Sequence, residues 1–265
     1  MKEAVLGYHI DASTSDDCLD EIFSLLKDRS GKAQSCAWLA CMNPHSYSLA
    51  LGDAVFREAL FDSDWLVPDG VGVLLASRLL GGSIRERVTG SEVFAGLHAR
   101  MNIAGGMSVF FLGATENTLT LILERMAKEY SNIRVAGTYS PPFKPNYSPA
   151  ELDEMINVVN VSGADVLWVG MTAPKQEKWI FENRVRLNVK FAGAIGAVFD
   201  FFSGRVKRSH PIFQRLGLEW LPRLVRQPRR LWRRMFLSAP IFLWHVFLAR
   251  VGLRHFDAPA NCRTY

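Results

Sequence analysis

Short apolar runs alternate along this chain with segments whose apolar positions recur every three or four residues. The runs are 36–41 (CAWLAC), 65–67 (WLV), 108–112 (SVFFL), 133–136, 165–169 (DVLWV) and 189–192. Each is too short for a helix and rich in aliphatic or aromatic residues, which predicts strands buried on both faces. Segments 46–61, 116–130, 149–160 and 174–183 carry helical spacing, several opened by a capping residue or an early proline. Strand–helix alternation of this kind predicts an α/β fold, a mostly parallel sheet with helices on both faces. No internal repeat is visible. The proline-rich stretch 138–147 (TYSPPFKPNY) is expected to be an ordered surface excursion.

In such sheets ligands gather at the carboxyl ends of the strands. The segments in those places are Met42-Asn43-Pro44-His45, Pro68-Asp69-Gly70-Val71-Gly72, Gly113-Ala114-Thr115, Gly170-Met171-Thr172 and Gly193-Ala194-Ile195-Gly196. Glycine lets backbone approach a ligand, and the free N–H groups of a following helix start favour phosphate. A nucleotide site is therefore plausible, although any parallel α/β domain has glycine-rich turns of this type.

Charge divides the chain. The net charge is +5, but residues 205–265 contain 13 Lys/Arg against 2 Asp/Glu, while residues 1–204 contain 18 against 24. An acidic body with a basic end implies that the end meets something anionic. Six arginines lie between Arg223 and Arg234, interleaved with Leu224, Leu231 and Trp232, and the apolar run 235–248 follows, interrupted by Pro240 and His245. That run is too short to cross a bilayer, so it reads as an interfacial helix attracted to an anionic membrane surface. The four cysteines lack ligand spacing and the first thirty residues are acidic and amphipathic, which predicts reduced thiols, no zinc site and a cytoplasmic location. The expected organisation is a catalytic domain at 1–204, a basic membrane-associating helical appendage at 205–256 and a disordered tail at 257–265.

Several motifs follow one another in a recognisable order. They are Pro68-Asp69-Gly70-x-Gly72, Arg87-Val88-Thr89-Gly90-Ser91, Phe111-Leu112-Gly113, Val169-Gly170-x3-Pro174-Lys175-Gln176-Glu177 and Gly196-x2-Phe199-Asp200-x2-Ser203-Gly204. The stretch Gly217-Leu218-Glu219-Trp220-Leu221-Pro222-Arg223 and the arginine-rich Pro228–Arg234 complete the series. Over about residues 5–245 the chain resembles the WecG/TagA/CpsF glycosyltransferases. The resemblance implies a Rossmann-like core and inverting, metal-independent transfer with no cofactor. It also implies a UDP-sugar donor and a polyprenyl-diphosphate-linked acceptor, in bacterial cell-surface polysaccharide synthesis at the inner face of the plasma membrane.

Inverting transfer needs a base for the acceptor hydroxyl and groups that stabilise the departing diphosphate. The resemblance makes Asp69 that base; otherwise Asp69 caps the helix beginning near Val71. Arg87, near a helix start, is assigned to the diphosphate or to the acceptor's phosphate, with a surface ion pair to Glu86 or Glu92 as the alternative. By the same analogy Gln176 bonds donor or sugar hydroxyls, Asn43 lines the cleft, and Arg223, Arg230 and Arg233 bind the acceptor's diphosphate. The family usually carries threonine two positions before this asparagine, where this chain has Cys41. Gly113, Gly170 and Gly196 are expected at the nucleotide, and Asp200 either satisfies backbone donors or closes the nucleotide pocket. Asp62-Ser63-Asp64 has the form of a metal–diphosphate motif but precedes its strand, at the wrong end for such a site.

Two other functions compete. An NAD(P)-dependent oxidoreductase is suggested by Phe111-Leu112-Gly113, but the second and third fingerprint glycines are missing and strand 133–136 does not end on an acid. A nucleic-acid-binding module would use the arginines, but no matching signature accompanies them and the acidic body repels a polyanion. Nucleic acid is therefore not an expected partner, and a homo-oligomer is left open.

Overall fold

The computed structural model describes residues 1–28, 36–206, 232 and 234–256. The elements begin with β1 (Lys2–Val5), β2 (Tyr8–Asp11), α1 (Ser15–Lys27), β3 (Ala37–Met42), α2 (Pro44–Ala50), α3 (Ala54–Asp62), β4 (Trp65–Pro68) and α4 (Val71–Leu80). They continue with α5 (Gly90–Ala104), β5 (Ser108–Gly113), α6 (Glu116–Glu129), β6 (Arg134–Tyr139), α7 (Pro149–Ser162), β7 (Val166–Gly170), α8 (Lys175–Asn183), β8 (Phe191–Ala194) and α9 (Val198–Phe202). Near the end, a π-helical turn (Arg234–Ser238) leads into α10 (Ala239–Arg250). The main sheet has six parallel strands in the order β4-β3-β8-β7-β5-β6. The expected α/β class is thus the observed one. The described residues form two compact units, 1–15, 41–89, 232 and 234–256 in the first, and 16–28, 36–40 and 90–206 in the second.

In the first unit a hairpin opens the chain. β1 pairs antiparallel with β2, and the turn holds Leu6 at φ 49° and Gly7 at φ 86°, the conformation that two-residue hairpin loops favour. Asp11 then accepts a 2.7 Å bond from the Leu66 backbone N–H and ties the hairpin to β4. The helix expected over 46–61 is two helices. Asn43 opens α2 through a capping box with Ser46, and α2 gives way at Leu51, the residue before Gly52. Asp53 then caps α3 by accepting from the Phe56 N–H. Two good N-caps within one periodic stretch start two helices rather than one.

The second unit carries the largest core. β5, β7 and β8 are buried at every position, as a sheet covered on both faces requires. Trp168 of β7 lies on Gly193 of β8, where a Cβ would sit 2.3 Å from the indole. Gly193, expected in a loop, is therefore a strand residue that makes room for a ring. Phe94 of α5 packs 5.1 Å from Trp168 and 5.0 Å from Phe202. Relative to the sequence reading, β3, β7 and β8 are shifted by one or two residues toward the carboxyl side, and β6 runs on to Tyr139.

The chain leaves β5 through α6 to β6 on one side, and leaves β7 through α8 to β8 on the other. β5 and β7 are adjacent, so a topological switch point lies between them. Crevices at such points receive ligands in open α/β sheets.

Candidate functional site

In the first unit, candidate residues collect where β3 and β4 end. The Asp69 N–H donates to Met42 O at 2.8 Å and the Val88 N–H to Pro68 O at 3.1 Å. The first bond fixes the backbone of Asp69 against the end of β3, and the second brings the Arg87 segment to the end of β4. The N-cap of α4 is Gly70 (φ 121°), not Asp69. A Cβ on Gly70 would lie 4.0 Å from that of Asn43, so the two turns are neighbours. Asn43 Oδ1 accepts from the N–H groups of His45 and Ser46, both at 3.0 Å; its carbonyl oxygen is spent on holding α2. Asp69, Asn43 and Arg87 are half-buried, at the edge of the sheet where a polar ligand can reach them. Asp64, by contrast, directly precedes β4, at the opposite end of that strand from Asp69.

In the second unit the glycine turns surround the switch point. Gly113 ends β5 at φ 115°, and a Cβ there would sit 2.6 Å from Gly170 O. Gly170 ends β7 with the Phe199 ring against it, 2.2 Å from where its own Cβ would be. Both glycines are required by their protein neighbours, independent of any nucleotide. Ala114 continues the turn at φ 57°, and its N–H donates to Gly170 O at 3.1 Å. Asp200 is half-buried on the five-residue α9.

Gln176 is buried, and both ends of its amide are engaged inside the protein. Oε1 accepts from the Gly196 N–H and Nε2 donates to Glu177 Oε1, each at 2.9 Å. Glu177 is also buried, and its Oε2 has no hydrogen-bond partner among the described residues. Burial pushes its carboxyl up to about 7, opposed by the hydrogen bond from Gln176.

Two features of this unit escaped the sequence reading. Arg205 Nη1 donates to Thr118 Oγ1 at 2.7 Å and Thr115 Oγ1 at 3.2 Å, and Thr115 is the N-cap of α6. A cation beside the positive end of a helix is poorly placed for itself and well placed to share an anion with the helix. In addition, Lys175 Nζ lies 3.8 Å from the centroid of the Tyr147 ring and donates to Lys144 O. Ser140 Oγ donates to Ala114 O at 2.8 Å. These bonds draw the proline-rich loop over the ends of β5 and β7. Neither feature has a local signature, because each needs partners from distant segments.

Arg223, Arg230 and Arg233 lie outside the described residues, as does 257–265. The described part of the basic segment packs within the first unit. His45 Nδ1 is 3.0 Å from Ser238 Oγ, and Tyr47 OH is 2.7 Å from His245 Nδ1. Phe242 meets Tyr47 edge-on at 5.3 Å. Among the described residues no helix is long and apolar enough to cross a membrane, and no group of three or more His, Cys, Asp or Glu is placed to hold a metal ion.

Fold and site define a parallel α/β protein of the kind that binds ligands at the carboxyl ends of its strands. The chain belongs to the glycosyl transferase WecG/TagA/CpsF family, which matches residues 3–255. It is similar to an N-acetylglucosaminyldiphosphoundecaprenol N-acetyl-beta-D-mannosaminyltransferase of Bacillus spizizenii, 31% identical over 78% of this chain and 77% of the relative. A protein of the same name from Bacillus subtilis is 31% identical over 77% and 76%. Another from Staphylococcus aureus is 26% identical over 94% and 93%. The protein is thus a glycosyltransferase by family.

Proposed function

We propose that this glycosyltransferase moves a hexose or N-acetylhexosamine from a UDP-sugar to a polyprenyl-diphosphate-linked sugar, at the inner face of the plasma membrane and with inversion. The observation that carries the reading is the position of Asp69, a carboxylate whose backbone is fixed at the end of a parallel strand, two residues before the first residue of α4. Asp69 takes the proton of the acceptor hydroxyl as that oxygen bonds to the anomeric carbon. The bond from that carbon to the diphosphate breaks in the same event, and UDP leaves with the electron pair. Arg205, beside the start of α6, stabilises the negative charge that develops on the departing diphosphate, and Arg87 holds the acceptor's phosphate. Gly113, Gly170 and Gly196 shape the turns that receive the nucleotide, and Asp200 closes that side.

Asn43 and Gln176 serve this reading as positioning residues. Their amides hold α2 and the Gly196 turn, respectively. Arg223, Arg230 and Arg233 bind the acceptor's diphosphate. The relatives' names favour N-acetylmannosamine as the sugar and an N-acetylglucosaminyl diphosphate lipid as the acceptor. A β product from an α-linked sugar nucleotide requires inversion.

The test is a panel of UDP-sugars offered with an N-acetylglucosaminyl-diphospho-polyprenol, the product weighed by mass spectrometry. The one-bond C1–H1 coupling of the new residue should report the β configuration. Absence of transfer from every UDP-sugar would sink the reading.

A further inference from the structure

We propose that α4 and α10 form one lipid-facing surface, so that the folded body, and not only the arginine-rich segment, docks on the bilayer. The proposal rests on the membrane-lipid acceptor argued above. α4 leaves Val71, Leu75 and Leu79 exposed at 45%, 44% and 46%. They recur every fourth residue and form one stripe. α10 buries Phe242 and Val246 and turns Ile241, Leu243, Trp244 and Phe247 outward, with Trp244 stacked on Phe247 at 5.5 Å. A helix apolar on its outer face as well as its inner one needs an apolar environment on both sides.

The two faces adjoin. Phe242 reaches Gly72 of α4, where a Cβ would lie 4.0 Å from its ring. At about 100° per residue, position 72 is only about 20° around the helix from Leu79. α10 therefore borders the exposed stripe.

Charge selects the occupant. No Asp or Glu occurs in 70–85 or in 220–256, whereas Arg78, Arg85, Arg250, Arg254 and the six arginines of 223–234 fall in those stretches. Apolar side chains flanked by arginines suit an anionic leaflet; the acid that reaches this stretch from elsewhere, Glu3, is engaged by the N–H groups of Ser83 and Ile84 beyond the end of α4. The consequence reaches the site. Asp69 lies two residues before Val71, so seating the stripe in lipid holds Asp69 within about one helical turn of the headgroup layer, where a lipid diphosphate lies.

The test uses the full chain with large unilamellar vesicles of phosphatidylcholine and phosphatidylglycerol. The double variant Leu75→Glu/Leu79→Glu should lose vesicle affinity by on the order of tenfold or more. Ile103→Glu, on the exposed face of α5, should stay within about twofold, and all three proteins should melt alike. Without vesicles, transfer to an acceptor with a short, water-soluble chain should be equal in the double variant and the wild type. Vesicle binding by the double variant equal to wild type overturns the proposal. So does a wild-type dimer that the double variant dissolves while vesicle binding persists, because the face then serves a second copy. If no acceptor is glycosylated even by wild type but the double variant still loses vesicles, the reading of function falls and the docking surface stands.

Discussion

The backbone N–H of Gly196 donates to Oε1 of Gln176 at 2.9 Å, a bond that spans twenty residues of sequence and ties the turn after β8 to the first turn of α8. The other end of the same amide holds Glu177. Gly196 has φ 49°, and a Cβ there would touch Gln176 Nε2 at 3.4 Å. This arrangement makes Gln176 a positioning residue for the turn, and it can be told from a sugar contact. In Gln176→Ala, UDP and UDP-sugar should weaken by the same factor, on the order of tenfold for one lost buried bond. Calorimetry with both ligands decides. A loss confined to the UDP-sugar would return Gln176 to direct contact with the sugar.

For Asp69 the expectation concerns turnover. Asp69→Asn keeps shape and removes the base, so kcat should fall by about 10²–10⁴-fold, the usual worth of a positioned general base. UDP affinity should stay within about twofold. Near-normal turnover in this variant would take Asp69 out of the mechanism.

Arg205 gives an expectation specific to the diphosphate. Its guanidinium is held at the start of α6 by Thr115 and Thr118. Arg205→Gln should weaken UDP and leave uridine unchanged. Because one charge-assisted contact is at stake, the loss should be about ten- to a hundredfold. Equal weakening of uridine and UDP would show that Arg205 acts on the fold instead.

How much of this was legible follows from the range of each interaction. β5 and β7 announce themselves because a strand buried on both faces has no polar position to disguise it. Asp69 stands out for a related reason, since a carboxylate between proline and glycine at a strand end has few structural duties. The break at Leu51-Gly52-Asp53 was readable from Asp53 as a cap, but the apolar spacing on either side hid it. The β1–β2 hairpin was missed because its turn is Leu6-Gly7 and lacks the Asn-Gly or Asp-Gly pair that usually betrays one. Gly113, Gly170 and Gly193 look alike in sequence. Only the partners Gly170, Phe199 and Trp168, brought in from other segments, reveal that each glycine makes room for protein. Arg205, 90 residues from Thr115 along the chain, is invisible for the same reason.

The last expectation concerns two buried groups of the second unit that titrate against each other. His98 is fully buried among Phe94, Phe111, Tyr130 and Trp168. Its Nδ1 donates to Phe94 O at 2.7 Å, while Nε2 has no partner among the described residues. Desolvation pushes its pKa down to about 4 from 6.5. The unfolded chain therefore takes a proton at His98 that the folded one refuses, and this group lowers stability as pH falls from 6.5 to about 4. Glu177 acts in the opposite sense. Desolvation lifts its pKa to about 7 from 4.5, so the unfolded chain releases a proton that the folded one keeps, and stability falls as pH rises from 4.5 to about 7. Each is worth about 3 kcal/mol at roughly 1.4 kcal/mol per unit. Over pH 4.5–6.5 the two largely cancel, and either variant should expose the other. Glu177→Gln should become more stable with rising pH across this window, and His98→Phe less stable. Urea unfolding at half-unit steps of pH measures both. Parallel profiles for the two variants and wild type would mean that neither group stays neutral in the core, whereas slopes of opposite sign would fix both as uncharged where α5 and α8 bury them.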